Sequence, residues 1–202
     1  MEDRKRSAGG REGAKVYFGM SVSLDGFING PDGDLSWHKV DDELFSHFIE
    51  IDRRTGWHVY GRGLYETMQY WETFREEDAP PGDTLMAEYA RIWEELPKLV
   101  VSRTLESVSG NARLLAGDLA DAIVELKKTS EGDISVGGAS LAGSLAQLGL
   151  IDEYHRYVTP VVIGDGTPFF HPRIDPFELE LLETQTFGSG VLLERYRPLT
   201  AQ

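Results

Sequence analysis

The segment whose residues most clearly indicate a chemical function is the junction at Gly137 and Gly138. It follows a short run rich in β-branched residues, 133–136, and precedes a stretch with leucines at helical spacing. This pattern predicts a strand that ends at the start of a helix, where adjacent glycines let a ligand approach the backbone closely. The unpaired N–H groups of a first helical turn bind anions, phosphate above all. A tight turn without a ligand is the alternative, because two glycines are not the full glycine fingerprint of a dinucleotide-binding fold.

Two other predicted strand ends carry polar and basic residues. Gly61-Arg62 follows the strand 57–60, and Ser102-Arg103-Thr104 follows the strand that begins at Lys98. Ligands of open α/β sheets bind beyond the carboxyl ends of parallel strands. A single arginine is usually a solvated surface residue, but two arginines at successive strand ends suit a phosphate. Together with Gly137-Gly138, these segments indicate a site for a phosphorylated cofactor.

The composition limits the classes of protein to which the chain can belong. Its 202 residues, 41% of them apolar, are enough for one substantial domain. We predict a single domain over residues 15–202, preceded by a disordered or tag-like segment at 1–14. The formal net charge of −14 argues against a nucleic-acid partner, because phosphate backbones attract basic surfaces.

The same composition bears on location and on metal chemistry. No apolar run is long enough for a membrane span and no secretory signal is recognisable, so we expect a cytoplasmic protein with no membrane partner. The chain lacks cysteine, which excludes disulfides and cysteine nucleophiles. Its five histidines do not have the spacing of metal ligands, and we therefore predict no metal site.

Hydrophobic periodicity predicts alternating strands and helices along the chain. We expect strands at 15–22, 57–60, 98–102, 133–136 and 153–163, and helices at 41–53, from 61, at 85–93, at 118–128 and from 141. A closing hairpin is predicted from strands at 179–186 and 191–196. This order indicates an α/β three-layer fold, with a mostly parallel central sheet, an antiparallel C-terminal edge and flanking helices.

The order of the motifs resembles that of the dihydrofolate-reductase-like superfamily. The motifs are Ser23-Leu24-Asp25-Gly26, Gly61-Arg62 with Tyr65-Glu66, Ser102-Arg103-Thr104, Gly137 to Leu141, and Gly164-Asp165-Gly166 before Pro168-Phe169. Within that superfamily the chain is similar to the branch that includes the C-terminal reductase domain of the bacterial riboflavin-biosynthesis deaminase/reductase. The similarity runs from about residue 15 to residue 197 and implies the dihydrofolate-reductase-like fold.

The resemblance implies NADPH as the cofactor and hydride donor. Three segments would bind it. Gly61, Arg62 and Leu64 would hold its phosphates, and Ser102, Arg103 and Thr104 would meet the adenosine 2′-phosphate. The pyrophosphate would lie on the third segment, formed by Val136, Gly137, Gly138, Ala139, Ser140 and Leu141. Guanidinium groups opposite the 2′-phosphate would favour NADPH over NADH through charge-assisted hydrogen bonds.

On the reacting side, the resemblance places the loop that contains Asp25 over the substrate. Asp25 is therefore the candidate catalytic residue, as an anchor for a ring amine or as a proton relay. An ordinary Asp-Gly turn is the alternative. The candidate substrate-binding residues are Phe27, Trp37, Phe45 and Thr159.

Two departures from the family affect the expected substrate. Counting back from Gly61 places Phe45 where dihydrofolate reductases carry an acid, and Phe27 stands where the riboflavin-pathway reductases have a lysine. The expected function is hydride transfer from NADPH to a small pterin-like, aminopyrimidine-like or other heterocyclic substrate. The alternative is an NADP(H)-binding or ligand-binding module without turnover. The resemblance also implies a homodimer.

Overall fold

The computed structural model describes residues 13–79, 83–171 and 175–199. Residues 1–12 of the predicted N-terminal segment lie outside the described residues. The strands are β1 (Val16–Ser23), β2 (Phe27–Asn29), β3 (Thr55–Gly61), β4 (Lys98–Val101), β5 (Ala112–Leu114), β6 (Asp133–Gly137), β7 (Glu153–Thr159), β8 (Thr167–Pro168), β9 (Leu179–Thr186) and β10 (Leu192–Pro198).

Eight of these strands form one sheet in the order β5-β4-β3-β6-β1-β7-β10-β9. Every neighbouring pair from β5 to β7 is parallel, and β10 is antiparallel to both of its neighbours. The predicted α/β fold, with its mostly parallel sheet and antiparallel C-terminal edge, is confirmed. Because parallel neighbours end on the same side, β3, β4 and β6 deliver their carboxyl ends to one edge of the sheet.

The helices are α1 (Asp42–Asp52), α2 (Arg62–Met68), α3 (Tyr70–Thr73), α4 (Leu85–Glu95), α5 (Leu119–Thr129) and α6 (Ala139–Gln147). Carboxylates accept hydrogen bonds from the first turns of three of them: Asp41 in α1, Asp83 in α4 and Asp118 in α5. Within the described residues no side chain caps α6. None of the helices described is both long and apolar enough to cross a membrane.

The two faces of the central strands differ in character, since successive residues of a strand point to opposite faces. On one face, Val16 and Phe18 of β1 join Ile123 of α5 and Leu145 of α6 in the main apolar core. The other face carries small residues, namely Gly19, Ser21, Ser135 and Gly137. Small side chains fill little volume, and a cavity therefore remains between this face and α1.

The structure differs from the predicted strands at three main points, one of which is β5, a three-residue edge strand that was not predicted. The strand predicted at 153–163 ends at Thr159, because Pro160 has no N–H group to continue the ladder. The pairing of β2 with β8 was not predicted from the sequence. These strands have three and two residues, too few to show an alternating pattern, and they pair across 138 positions of the chain at Asn29 and Thr167.

Candidate active site

A cavity of about 680 Å³ opens along the small-residue face of the sheet. Gly19 and Ser21 of β1 and Ser135 of β6 line it from the sheet, and Phe48 and Ile51 of α1 line the opposite side. Asn29 of β2 and the segment after it complete the wall, the segment through Gly33, Leu35 and His38. This volume lies within the range of small-molecule and cofactor sites in proteins.

One end of the cavity is formed by the start of α6. Gly138 stands just before the helix with φ 104° and ψ 122°, a conformation that residues with a side chain rarely adopt. No described side chain caps the helix, so its first-turn N–H groups have no side-chain acceptor. We refer to the backbone N–H groups of residues 138–141 as the amide cradle. The helix dipole adds partial positive charge there, which favours an anion.

Packing against the end of β3 and the start of α2 also requires glycine at position 137. A Cβ atom built on Gly137 would lie 2.1 Å from Leu64 Cδ2 and 2.6 Å from Tyr60 Cδ1. The ends of β3 and β6 are therefore in close contact at the amide cradle. All nine residues predicted from these two strand ends line the cavity: Gly61, Arg62, Leu64, Val136, Gly137, Gly138, Ala139, Ser140 and Leu141.

The third predicted segment lies beside this wall. Arg62 Nη1 donates to Thr104 Oγ1 at 3.2 Å, which joins the end of β3 to the loop after β4. Ser102 Oγ accepts from Thr104 N–H and Leu105 N–H and so fixes that loop. Ser102, Arg103 and Thr104 do not line the cavity, and the hydrogen bond to Arg62 connects their loop to the cavity wall. The structure thus brings the three predicted cofactor segments together, while their binding role stays a prediction.

The cavity lining also includes a group of polar and aromatic side chains, which we term the inner cluster: Tyr17, Asp52, His58, Tyr60 and Tyr89. His58 Nε2 lies 3.4 Å from Asp52 Oδ1, and the Tyr60 hydroxyl hydrogen bonds with His58 Nδ1. Burial raises the pKa of Tyr60 and Tyr89 well above the ordinary value, and the Asp52 carboxylate adds to both shifts. Both phenols are therefore protonated and able to donate.

Sequence reasoning assigned no role to the inner cluster. Asp52 lies on the side of α1 that carries Leu44, Phe48 and Ile49, and a carboxylate among apolar residues at helical spacing was the available signal. His58 had no such signal, because a histidine within a strand is commonly a core residue. The cluster combines residues of β1, α1, β3 and α4, which are distant in the sequence.

The residues predicted for the reacting side do not line the described cavity wall. Phe27 pairs with Pro168 in the small sheet, and Thr159 is a buried strand end opposite Ser23. Trp37 contacts His38 edge-on with ring centroids 4.2 Å apart. Phe45 packs on Tyr89 with centroids 5.5 Å apart. Trp37 and Phe45 each contact a side chain that lines the cavity, and a substrate role for all four residues stays a prediction.

Asp25 is an exposed residue that joins two loops. Its carboxylate accepts N–H bonds from Ile163 at 3.2 Å and Gly164 at 2.7 Å, across 138 and 139 residues of sequence. Hydrogen bonds from Ser23, and then from the backbone of Gly164 and Ile163, lower the pKa of Asp25. A carboxylate that is ionised at neutral pH suits an acceptor role better than proton donation. The catalytic role of Asp25 stays a prediction.

The fold and the cavity together define the class of protein. An α/β sheet with an open amide cradle at a strand-to-helix junction is an architecture for binding a phosphorylated ligand at the carboxyl edge of the sheet. Residues 14–193 match the family described as the RibD C-terminal domain. The chain belongs to this family, as its motifs predicted.

Individual proteins agree with this assignment. The uncharacterized protein YyaP of Bacillus subtilis (strain 168) is 32% identical over 181 residues, which cover 88% of this chain and 92% of YyaP. A solved structure from Shewanella sp. PV-4, whose name refers to riboflavin biosynthesis, has a TM-score of 0.72 at 19% identity and covers 92% of this chain and 99% of its own. Dihydrofolate reductase from Enterococcus faecalis, complexed with NADP(H) and RAB-propyl, has a TM-score of 0.61 at 17% identity. The match covers 91% of this chain and 96% of the Enterococcus faecalis chain, and it shows that the two proteins share a fold.

Proposed function

We propose that this protein is an NADPH-dependent reductase that transfers a hydride to a small pterin-like, aminopyrimidine-like or other heterocyclic substrate. The observation that carries the proposal is the amide cradle, which opens on a cavity in a chain of the RibD C-terminal domain family. The Enterococcus faecalis enzyme, which shares the fold, is complexed with NADP(H).

The residues at the amide cradle fit a dinucleotide. A methyl group on Gly137 would overlap Leu64 and Tyr60, and Gly138 has a backbone conformation that presents the helix start without a side chain. The pyrophosphate would accept hydrogen bonds from the N–H groups of Ala139 to Leu141, with Arg62 on the facing wall. This local positive potential is required because the net charge of the chain is −14.

The loop after β4 supports a preference for the 2′-phosphate of NADPH. Arg103 is exposed and has no ion-pair partner among the described residues, so its guanidinium is available to a phosphate. Ser102 and Thr104 place two hydroxyl groups beside it. Charge-assisted hydrogen bonds to Arg103 would favour NADPH over NADH.

In the proposed reaction NADPH supplies the hydride, and the chain supplies orientation and exclusion of water. The segment after β2 contributes Leu35 and His38 to the cavity wall, and exclusion of water by this segment is part of the proposal. The apolar wall from Phe48 and Ile51 suits a planar heterocycle. Asp25, Phe27, Trp37, Phe45 and Thr159 remain proposed reacting-side residues.

The second candidate is an NADP(H)-binding or ligand-binding module without turnover. The same amide cradle favours it, because the cradle accounts for binding alone. The two candidates differ only in the consumption of the cofactor when a substrate is present.

Calorimetric titration with NADPH and NADH tests both candidates. We expect NADPH to bind with micromolar or better affinity and NADH to bind more weakly. If neither binds in this range, both candidates fail. A screen of NADPH oxidation over pterins, aminopyrimidines, flavins and quinonoid compounds then separates them: oxidation with one class supports the reductase, and binding without oxidation supports the module.

A cytoplasmic homodimer is a further part of the proposal. β9 lies at the edge of the sheet and exposes Leu181 and Leu182. An exposed edge strand with apolar side chains favours pairing with a second copy. Light scattering during size-exclusion chromatography measures the mass, and a monomer at micromolar concentration would contradict the dimer.

A further inference from the structure

The helix that begins at Arg62, α2, carries a buried tyrosine one turn further along. Tyr65 is 1% exposed and does not line the cavity. Its ring belongs to an apolar cluster with Trp93 of α4, and Leu105 packs against the same cluster. Leu105 lies in the segment 102–111, which joins β4 to β5 and begins with the predicted 2′-phosphate residues. The ring therefore lies where α2 meets this segment, which we term the β4–β5 loop.

The Tyr65 hydroxyl bonds to the far end of the β4–β5 loop. Ser109 N–H donates to the Tyr65 oxygen at 2.9 Å, and the Ser109 hydroxyl lies 3.2 Å from it. Ser109 Oγ donates to Glu72 Oε2 at 2.5 Å, so it accepts from the Tyr65 O–H group. Gln69 Nε2 donates to the same phenol oxygen at 3.4 Å. The hydroxyl thus acts as both donor and acceptor, in a contact between residues 44 positions apart in the sequence.

Two attachments of this loop start from α2, and they differ in their exposure to water. Arg62 Nη1 donates to Thr104 Oγ1 at 3.2 Å, and both residues are exposed. Water competes for such a bond, which therefore positions the loop weakly by itself. The Tyr65 side chain is buried, so its bonds to Ser109 are less open to this competition. Tyr65 is the firmer of the two attachments, and Arg103 belongs to the loop that they hold.

We propose that Tyr65 is a positioning residue for NADPH: its hydroxyl attaches the β4–β5 loop to α2 and so keeps Arg103 at a fixed separation from Arg62. The inference rests on the proposed reductase function, which supplies the dinucleotide. A dinucleotide with its pyrophosphate beside Arg62 reaches Arg103 with its 2′-phosphate only while the two segments keep that separation. Charge-assisted bonds to Arg103 are lost when the loop moves away. NADH has no 2′-phosphate, so its binding does not depend on this attachment.

Tyr65→Phe tests the proposal, because it removes the hydroxyl and leaves the ring in its cluster. Loss of the attachment should lower NADPH affinity about three- to tenfold in calorimetric titrations, and NADH affinity less than about twofold. A merely structural defect lowers both affinities alike, so the ratio of the two affinities distinguishes the roles. Tyr154→Phe is the matched control, since Tyr154 is 2% exposed on β7 and lies outside both the cavity lining and the β4–β5 loop. This variant should keep the wild-type ratio.

Amide hydrogen exchange of the ligand-free protein supplies a second measurement. Ser109 N–H donates to Tyr65, so its exchange should be about fivefold or more faster in Tyr65→Phe and unchanged in Tyr154→Phe. If Tyr65→Phe does not fold, Ser109→Ala applies the affinity test from the loop side, since it removes the Oγ atom that accepts from Tyr65.

Three results would overturn the proposal: equal losses of NADPH and NADH affinity, an unchanged NADPH affinity, or an unchanged exchange rate at Ser109 in Tyr65→Phe. These outcomes are distinct from failure of the proposed function. A wild type that binds neither cofactor refutes the reductase, and the role of Tyr65 in NADPH binding fails with it. A wild type that prefers NADPH, with the full preference retained in Tyr65→Phe, refutes only the positioning role.

Discussion

Substitution of Gly138 by alanine perturbs the amide cradle with little steric effect. The nearest heavy atom to a Cβ built there is Gly61 N at 3.9 Å, so the added methyl group has room. The cost is backbone strain at φ 104°, about 1–3 kcal/mol. Relief of this strain requires the peptide between Gly137 and Gly138 to turn, which would redirect the Gly138 N–H group of the cradle.

The expected result is weaker binding of NADPH in a folded protein. NADPH binding would have to restore the strained backbone conformation. If this costs about 1–2 kcal/mol, NADPH affinity falls about five- to thirty-fold. Isothermal titration calorimetry measures this loss, and thermal unfolding measures the change in stability.

Gly149→Ala is the matched control at the opposite end of α6. Gly149 has φ 66°, and no heavy atom lies within 4 Å of a Cβ built there. Alanine at this left-handed position costs about 1 kcal/mol of stability, but Gly149 does not line the cavity. NADPH affinity should therefore be unchanged. Wild-type affinity in Gly138→Ala, or equal losses in the two glycine variants, would refute the reasoning.

Three further substitutions probe other parts of the account. Arg103→Ala should lower the affinity for NADPH about tenfold and the affinity for NADH less than about twofold in paired titrations, because a charge-assisted bond to the 2′-phosphate is lost. Equal losses of affinity would argue against 2′-phosphate recognition. Asp25→Asn should lower turnover in the NADPH-oxidation assay with little change in NADPH affinity, and unchanged turnover would leave Asp25 as a link between loops. Glu153 is buried and accepts hydrogen bonds from His155, Lys15 and Arg195, which lower its pKa. Its contribution to stability is present above the ordinary value of 4.5 and is lost as the pH falls. Glu153→Gln should cost about 3 kcal/mol at neutral pH and flatten the acid limb of a urea-unfolding profile; an unchanged limb would contradict this assignment.

The amide cradle was predictable because it is local in sequence. A strand, two glycines and a helix follow one another within 133–147, and each is specified by its own residues. The parallel sheet then brings Gly61-Arg62 to the same edge, since both segments follow strands that end together. The alternation of strands and helices was therefore enough to place these segments side by side.

The inner cluster was not predictable in the same way. Asp52, His58 and Tyr89 come from three elements, and their proximity depends on how α1 and α4 pack on the sheet. Phe45 illustrates the same difficulty: its helical spacing was read correctly, but the rotation of α1 turns it toward Trp71 and Tyr89 and away from the cavity wall. For Asp25, the sequence showed an Asp-Gly turn and could not show the partners at Ile163 and Gly164, which are supplied by a distant loop.

The measurement that tests the central claim most directly is an NADPH titration of the ¹⁵N-labelled protein, with the backbone amide resonances assigned. The account predicts saturable binding with the largest amide shifts at Gly138, Ala139, Ser140 and Leu141. Saturable binding that leaves these amides unshifted, or no binding at all, would contradict it.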